Sequence, residues 1–124
     1  MTIMAVYLVN AATKQNYDDI KDAIGWETAP PDGALLHFVG FDKQGACSVE
    51  LWESEAQFEA YRRDRYDPAC ERAGLGRLEA RVLEVHNAAA AGPVETYIPI
   101  LEAARLRPGA SIGEQFEHGV GGGL

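Results

Sequence analysis

The chain has 124 residues, 47% of them hydrophobic and 24% charged, the balance of a single globular domain of ordinary size. Its formal charge is −8 and no segment is basic, so nucleic acid and anionic membranes are poor partners. No apolar run reaches membrane-spanning length and the N-terminus lacks a basic stretch followed by a long apolar core, so a cytoplasmic protein is expected.

Thr2 to Val9 reads as a first strand, apolar on both faces: Ile3, Ala5, Tyr7 and Val9 alternate with Met4, Val6 and Leu8. Asn16 to Ile24 reads as a short helix with Tyr17, Ile20 and Ile24 on one face, stopped by Gly25. Ala29-Pro30-Pro31-Asp32-Gly33 is a stiff loop. Ala34 to Phe41 and Ala46 to Trp52 are strands joined by the turn Asp42-Lys43-Gln44-Gly45. Ser54-Glu55-Ala56-Gln57 is a capping box: the Ser54 hydroxyl can accept from the Gln57 N–H, and the Gln57 side chain can reach back to Ser54. The helix it opens runs to about Ala73, and Pro68 should kink or split it. Arg62, Arg63, Arg65 and Arg72 alternate with Asp64, Asp67 and Glu71, a pattern that reads as a solvated helix face. Gly74-Leu75-Gly76 is a helix stop rather than a phosphate loop, and Leu78 to Asn87 is the last strand. Cys47 and Cys70 lack metal-ligand spacing and read as buried thiols in a reducing compartment.

The order β-α-β-β-α-β is the ferredoxin-like, split βαβ pattern: an α+β protomer whose four-stranded antiparallel sheet is covered on one face by two helices. The uncovered apolar face calls for a second sheet, so residues 1–88 are expected to form a homodimer packed sheet to sheet, a dimeric α+β barrel. Residues 89–124 form a C-terminal extension. In it Pro99 to Arg107 reads as a short helix, Tyr97, Ile98, Ile100, Leu101 and Leu106 are apolar enough to dock, and a glycine-rich tip is expected to be disordered.

The hairpin carries the chemistry. If Phe41 pairs with Ala46, then Val39 faces Ser48, His37 faces Glu50 and Leu35 faces Trp52, all on one face of the sheet. An imidazole and a carboxylate set into an apolar face must be paired or wetted. His37 is the candidate acid/base and Glu50 its orienter, since a carboxylate on one ring nitrogen fixes the tautomer and frees the other for a substrate. The same pair also has a purely structural reading as a cross-strand ion pair. Trp52 is either a pocket wall that stacks on an aromatic ligand or simply core. Tyr7, Phe41 and Tyr61 are further candidate substrate contacts. His86, which shares a face of the last strand with Glu84, is another, or else a strand-end residue at the surface or dimer seam. A metal held by His37, Glu50 and His86 is disfavoured, because strands two and four lie at opposite edges of such a sheet, roughly 14 Å apart. No Walker loop, dinucleotide fingerprint, nucleophile elbow or His-Glu-x-x-His occurs.

Pro31 to Phe41, Val49 to Phe58 with its Trp-x-Ser-x-x-x-Phe element, Asp67-Pro68-Ala69 and Val85-His86-Asn87 together resemble the small dimeric α+β barrel proteins grouped with the antibiotic-biosynthesis monooxygenases. The likeness covers roughly residues 1–88. It implies a pocket lined by sheet and helices and a small-molecule enzyme without a bound cofactor. Such an enzyme would be an oxygenase or a cyclase/isomerase of an aromatic or polyketide-like substrate. The alternative is a non-catalytic dimeric binding module for a hydrophobic metabolite. A haem-degrading branch is similar in an Asn late in strand one and a Trp late in strand three, loosely matched by Asn10 and Trp52. The second helix here has no histidine, only Tyr61 and Tyr66, which speaks against haem.

Overall fold

The structure, a computed structural model, describes residues 1–101. Its elements are β1 (Ile3–Asn10), α1 (Lys14–Ile24), β2 (Ala34–Phe41), β3 (Gly45–Trp52), α2 (Glu55–Tyr61), a π-helical segment (Arg62–Tyr66), α3 (Asp67–Arg72), β4 (Arg81–Glu84) and α4 (Val94–Tyr97). The four strands form one antiparallel sheet in the order β2-β3-β1-β4. This is the expected ferredoxin-like α+β arrangement. The chain divides into two compact units, Met1–Val85 and a second beginning at His86. The described part of the second unit contains α4, with Tyr97 exposed.

Each element of the first unit has a local cause. Thr13 caps α1: its hydroxyl accepts from the Asn16 N–H at 3.0 Å, and the Asn16 side chain accepts from the Thr13 N–H at 3.0 Å. Gly25 closes α1 in the left-handed region, at φ 70°, donating its N–H to the Lys21 carbonyl. At the β2–β3 turn, the Asp42 carboxylate accepts from the N–H groups of Gln44 and Gly45. A Cβ on Gly45, at φ 147°, would collide with the Val9 carbonyl of the neighbouring strand.

The hairpin register holds from Phe41↔Ala46 through Val39↔Ser48 to His37↔Glu50. It then breaks. Ala34, not Leu35, pairs with Trp52, because Leu35 is bulged out of the ladder and 44% exposed. Two backbone bonds, Ala34 N–H to the Pro31 carbonyl and Glu53 N–H to the Gly33 carbonyl, fix the entry of β2 and leave that extra residue outside.

Ser54 caps α2 as expected, accepting from the Gln57 N–H at 3.2 Å. The Gln57 side chain reaches back to Ser54, as expected. The Gln57 amide oxygen accepts from the Ser54 hydroxyl, and its amide nitrogen donates to Asp32. The second helix is divided as anticipated, and the division takes the form of a wide five-residue turn directly before Asp67-Pro68. Proline has no N–H to give and its ring crowds the carbonyl four residues back, so one extra residue in the preceding turn relieves the conflict. In a regular α-helix residues five apart point about 140° away from one another. The wide turn brings Tyr61 and Tyr66 to line one cavity.

Four readings are corrected. Arg62 is not on a solvated face: it is 4% exposed, bonded to Asp67 at 3.3 Å and to the Leu78 carbonyl, with its guanidinium 5.7 Å from the Tyr7 ring centroid. That claim on the Leu78 carbonyl is one reason the last strand begins at Arg81 and not at Leu78. At its other end pairing stops at Glu84, followed by a single bond from the Val85 N–H to the Thr2 carbonyl. Cys47 is exposed, and only Cys70 is buried. In the extension, the expected helical start at Pro99 is absent: helix occupies Val94–Tyr97, and Pro99 to Leu101 lie in no helix. The rest of that predicted helix, with Leu106 and the glycine-rich tip, lies outside the described residues.

The core fills the space between the helices and one sheet face. Trp52, Tyr7, Phe58 and Cys70 are its largest fully buried side chains, with Ile3, Ala5, Ile20, Ile24, Tyr61 and Ala69 around them. No described helix is long and apolar enough to cross a membrane.

Candidate functional site

A cavity of about 80 Å³ lies in the first unit between α1, the π-helical segment and the covered sheet face. Its walls are mostly apolar and aromatic, including Val9, Ile20, Val39, Leu75 and Leu78 together with Tyr7, Tyr17, Trp26, Tyr61 and Tyr66. Into this wall the hairpin sets His37 and Glu50. Lys21 and Glu27, paired at 3.1 Å and each well exposed, stand at its rim.

His37 Nδ1 lies 3.7 Å from Glu50 Oε2, an ion-pair distance but too long for a direct hydrogen bond. Glu50 is 3% exposed and its other oxygen accepts from Trp52 Nε1–H at 3.1 Å. The second ring nitrogen of His37 is already engaged: Tyr17 Oη sits 2.8 Å from Nε2. The Tyr17 and His37 rings lie parallel, interplanar angle 2°, with centroids 5.9 Å apart. Trp26 leans on the same imidazole at 5.9 Å and 40°.

These distances assign the protons. Burial, and then the charge of Glu27, push the Tyr17 pKa up, so its phenol keeps its proton and can donate to Nε2. That leaves the imidazole proton on Nδ1, facing the Glu50 carboxylate, the arrangement electrostatics prefers over a lone pair aimed at an anion. Tyr17, His37, Glu50 and Trp52 thus form one polar line from α1 across β2 to β3.

Of the residues singled out in the sequence, His37, Glu50, Tyr7 and Tyr61 line the cavity. Trp52 does not: it is fully buried behind Glu50 and packs against Tyr61 and Phe58. Phe41 lies outside the lining but packs edge-on against Tyr17. His86 is exposed, two residues beyond β4, and is not among the lining residues. Sequence reasoning missed Tyr17 and Trp26 as site residues. Tyr17 had been credited only with packing, although it begins the apolar stripe of α1 that Ile20 and Ile24 continue. Trp26 follows the capping Gly25, where the left-handed turn redirects the chain. Burial raises the pKa values of Tyr7, Tyr61 and Tyr66, with the Glu50 charge adding to each, so these phenols are neutral hydrogen-bonding groups. Among the described residues no three of His, Cys, Asp and Glu gather as a metal-binding cluster.

No protein-family model matches the sequence, and no curated protein matches it. Solved structures do match. A protein from Chloroflexus aurantiacus J-10-fl, provisionally named an antibiotic biosynthesis monooxygenase, superposes with a TM-score of 0.53 at 15% identity, over 74% of this chain and 100% of that one. A mutant of SnoaB, a cofactor-independent oxygenase from Streptomyces nogalater, superposes with a TM-score of 0.52 at 11% identity, over 70% of this chain and 93% of that one. At such identities the likeness is one of fold. The chain has the α+β fold of the antibiotic-biosynthesis-monooxygenase-like proteins.

Proposed function

We propose that the chain is a small-molecule enzyme that moves a proton on an aromatic or polyketide-like substrate, without a tightly bound cofactor, in preparation for oxygenation or for cyclisation or isomerisation. The observation that carries this reading is the line Tyr17 Oη, His37 Nε2, His37 Nδ1 and Glu50 Oε2, at 2.8 and 3.7 Å, set into an apolar, aromatic cavity. A substrate hydroxyl or activated C–H that takes the place of the Tyr17 hydroxyl at Nε2 meets a free imidazole lone pair. The proton moves to His37, and the buried Glu50 carboxylate balances the imidazolium that results. The freed Tyr17 hydroxyl then donates to the oxygen that has gained charge. Five aromatic side chains around that point suit a flat ring. The fold likeness to SnoaB favours oxygenation as the step that follows. A second copy of the chain, packed on the open sheet face, belongs to the same reading.

The test is turnover of polycyclic phenols and aryl ketones, followed by oxygen uptake and by solvent-deuterium incorporation at the acidic carbon. Wild type is expected to show one or both, and His37→Gln neither, with folding retained. Oxygen uptake selects the oxygenase. Deuterium incorporation or ring closure without oxygen uptake selects the cyclase or isomerase. Saturable binding with no turnover by the wild type leaves the metabolite-binding module instead.

A further inference from the structure

Three side-chain polar atoms in the described structure are buried with no hydrogen-bond partner there: Tyr7 Oη, Trp26 Nε1 and His37 Nδ1. All three residues line the same cavity. Buried polar groups are ordinarily satisfied, and leaving one without a partner forfeits its hydration with nothing in return. Three in one small cavity mark a place built to be filled by something that hydrogen-bonds. His37 Nδ1 has a nearby carboxylate to face. Trp26 Nε1 has none among the described residues, and an indole N–H can only donate.

We infer that Trp26 is the specificity-determining residue of this cavity, its indole N–H holding an oxygen acceptor, such as a ring carbonyl, on an uncharged aromatic ligand. The inference rests on reading the cavity as a substrate site. The ligand must be an acceptor, because Trp26 can only donate. It is not an anion because Glu50, 3% exposed, lines the same space and repels a second negative charge, and a neutral acceptor is the simplest partner for an N–H donor. It is aromatic because Trp26, Tyr17 and the three other tyrosines present ring faces and edges to it. Tyr7 Oη, kept protonated by burial, is a second donor for the same oxygen or for another on the ligand. The Trp26 ring lies against the His37 ring, with centroids 5.9 Å apart.

The chain has only two tryptophans, and the Trp52 N–H is already bonded to Glu50, so it serves as an internal reference. The experiment follows the two indole N–H signals by NMR while full-length protein is titrated with 1-indanone and, separately, with indane, which has the same skeleton without the oxygen. Trp26→Phe identifies which signal is which. The expected result is a downfield shift of the Trp26 signal with 1-indanone, none with indane, and little change at Trp52. Trp26→Phe should weaken 1-indanone about three- to tenfold more than it weakens indane, the weight of one hydrogen bond between neutral groups. Absence of saturable 1-indanone binding, an unmoved Trp26 signal, or equal weakening of both probes overturns the inference. So does tighter binding of tetramethylammonium, which would make the ring faces and Glu50 a cation cage. If His37→Gln keeps full turnover while the Trp26 signal still reports the ketone, the catalytic reading falls and the anchor stands. Loss of turnover with an unmoved Trp26 signal removes the anchor alone.

Discussion

The two faces of one sheet differ in kind. On β1, Ile3, Ala5 and Tyr7 are at most 3% exposed beneath the helices, whereas Leu8, their neighbour on the other face, is 77% exposed. The covered face holds Tyr7, His37, Glu50 and Trp52, polar groups that must find partners. The open face offers Met4, Val6, Leu8, Phe38, Val49 and Leu51 with Cys47 among them, and a charge, Arg81, at the β4 edge opposite Val6. A β-strand alternates its side chains, so one hydrophobic sequence supplies both surfaces. The lesson is that hydrophobicity alone does not locate a site. The face that took on buried polar atoms is where chemistry is concentrated, and the face that avoided them is suited to packing.

The sharpest way to break this contrast is to truncate one residue on each side. Trp52→Ala should cost about 3–5 kcal/mol in denaturant unfolding, since it empties a core position and leaves Glu50 without its indole donor. Leu8→Ala should change the stability of an isolated chain by less than about 0.5 kcal/mol. Comparable losses would mean that the open face is covered in solution.

The covered face should also make the fold sensitive to alkali. Burial pushes the Cys70 thiol up to about 11 from 9.0 and raises Tyr7, Tyr61 and Tyr66 above 10.0. Groups with raised folded pKa values contribute stability that is complete below their unfolded values and is lost as pH climbs towards the folded ones. Stability should therefore be flat to about pH 9 and fall beyond it. The buried tyrosines should ionise only together with loss of circular dichroism. Tyrosine ionisation at 295 nm that runs to completion in a folded chain would show that these rings are wet.

A subtler effect concerns the two thiols. At pH 8 a thiol with a pKa near 11 is thiolate in only about one molecule in a thousand, so Cys70 should resist a disulfide reagent until unfolding. Cys47 should react at once in a single chain, and slowly if a second copy packs on its face. Leu8→Glu should then restore fast reaction and turn a two-chain sedimentation species into one. A wild type that sediments as one chain with a fast Cys47 would remove the sheet-to-sheet dimer.

The hairpin pairing was legible in the sequence because alternation and a four-residue turn leave one register in which His37 and Glu50 meet. The bulge at Leu35 was not, since it comes from backbone bonds at Pro31 and Gly33 that no side-chain pattern encodes. Arg62 was misread for a related reason: its neighbours are charged, but it lies one helical turn after the buried Phe58, and the wide turn that follows brings Asp67 against it. Tyr17 and Trp26 escaped notice because periodicity scores a residue's face and says nothing of what its polar end touches. The Tyr17 hydroxyl at His37 and the Trp26 ring against the same imidazole are properties of tertiary structure.

The wide turn at Arg62–Tyr66 bears on how relatives of this chain should be compared. An α-helix advances 100° per residue, so losing one residue there would turn every later side chain of the helix by about that angle. The overall fold would survive and Tyr66 would leave the cavity wall. Within this segment, then, length matters more than residue identity. An alignment that scores a one-residue gap there as trivial would equate proteins with different pockets, and a single-residue deletion is the economical route from this specificity to another.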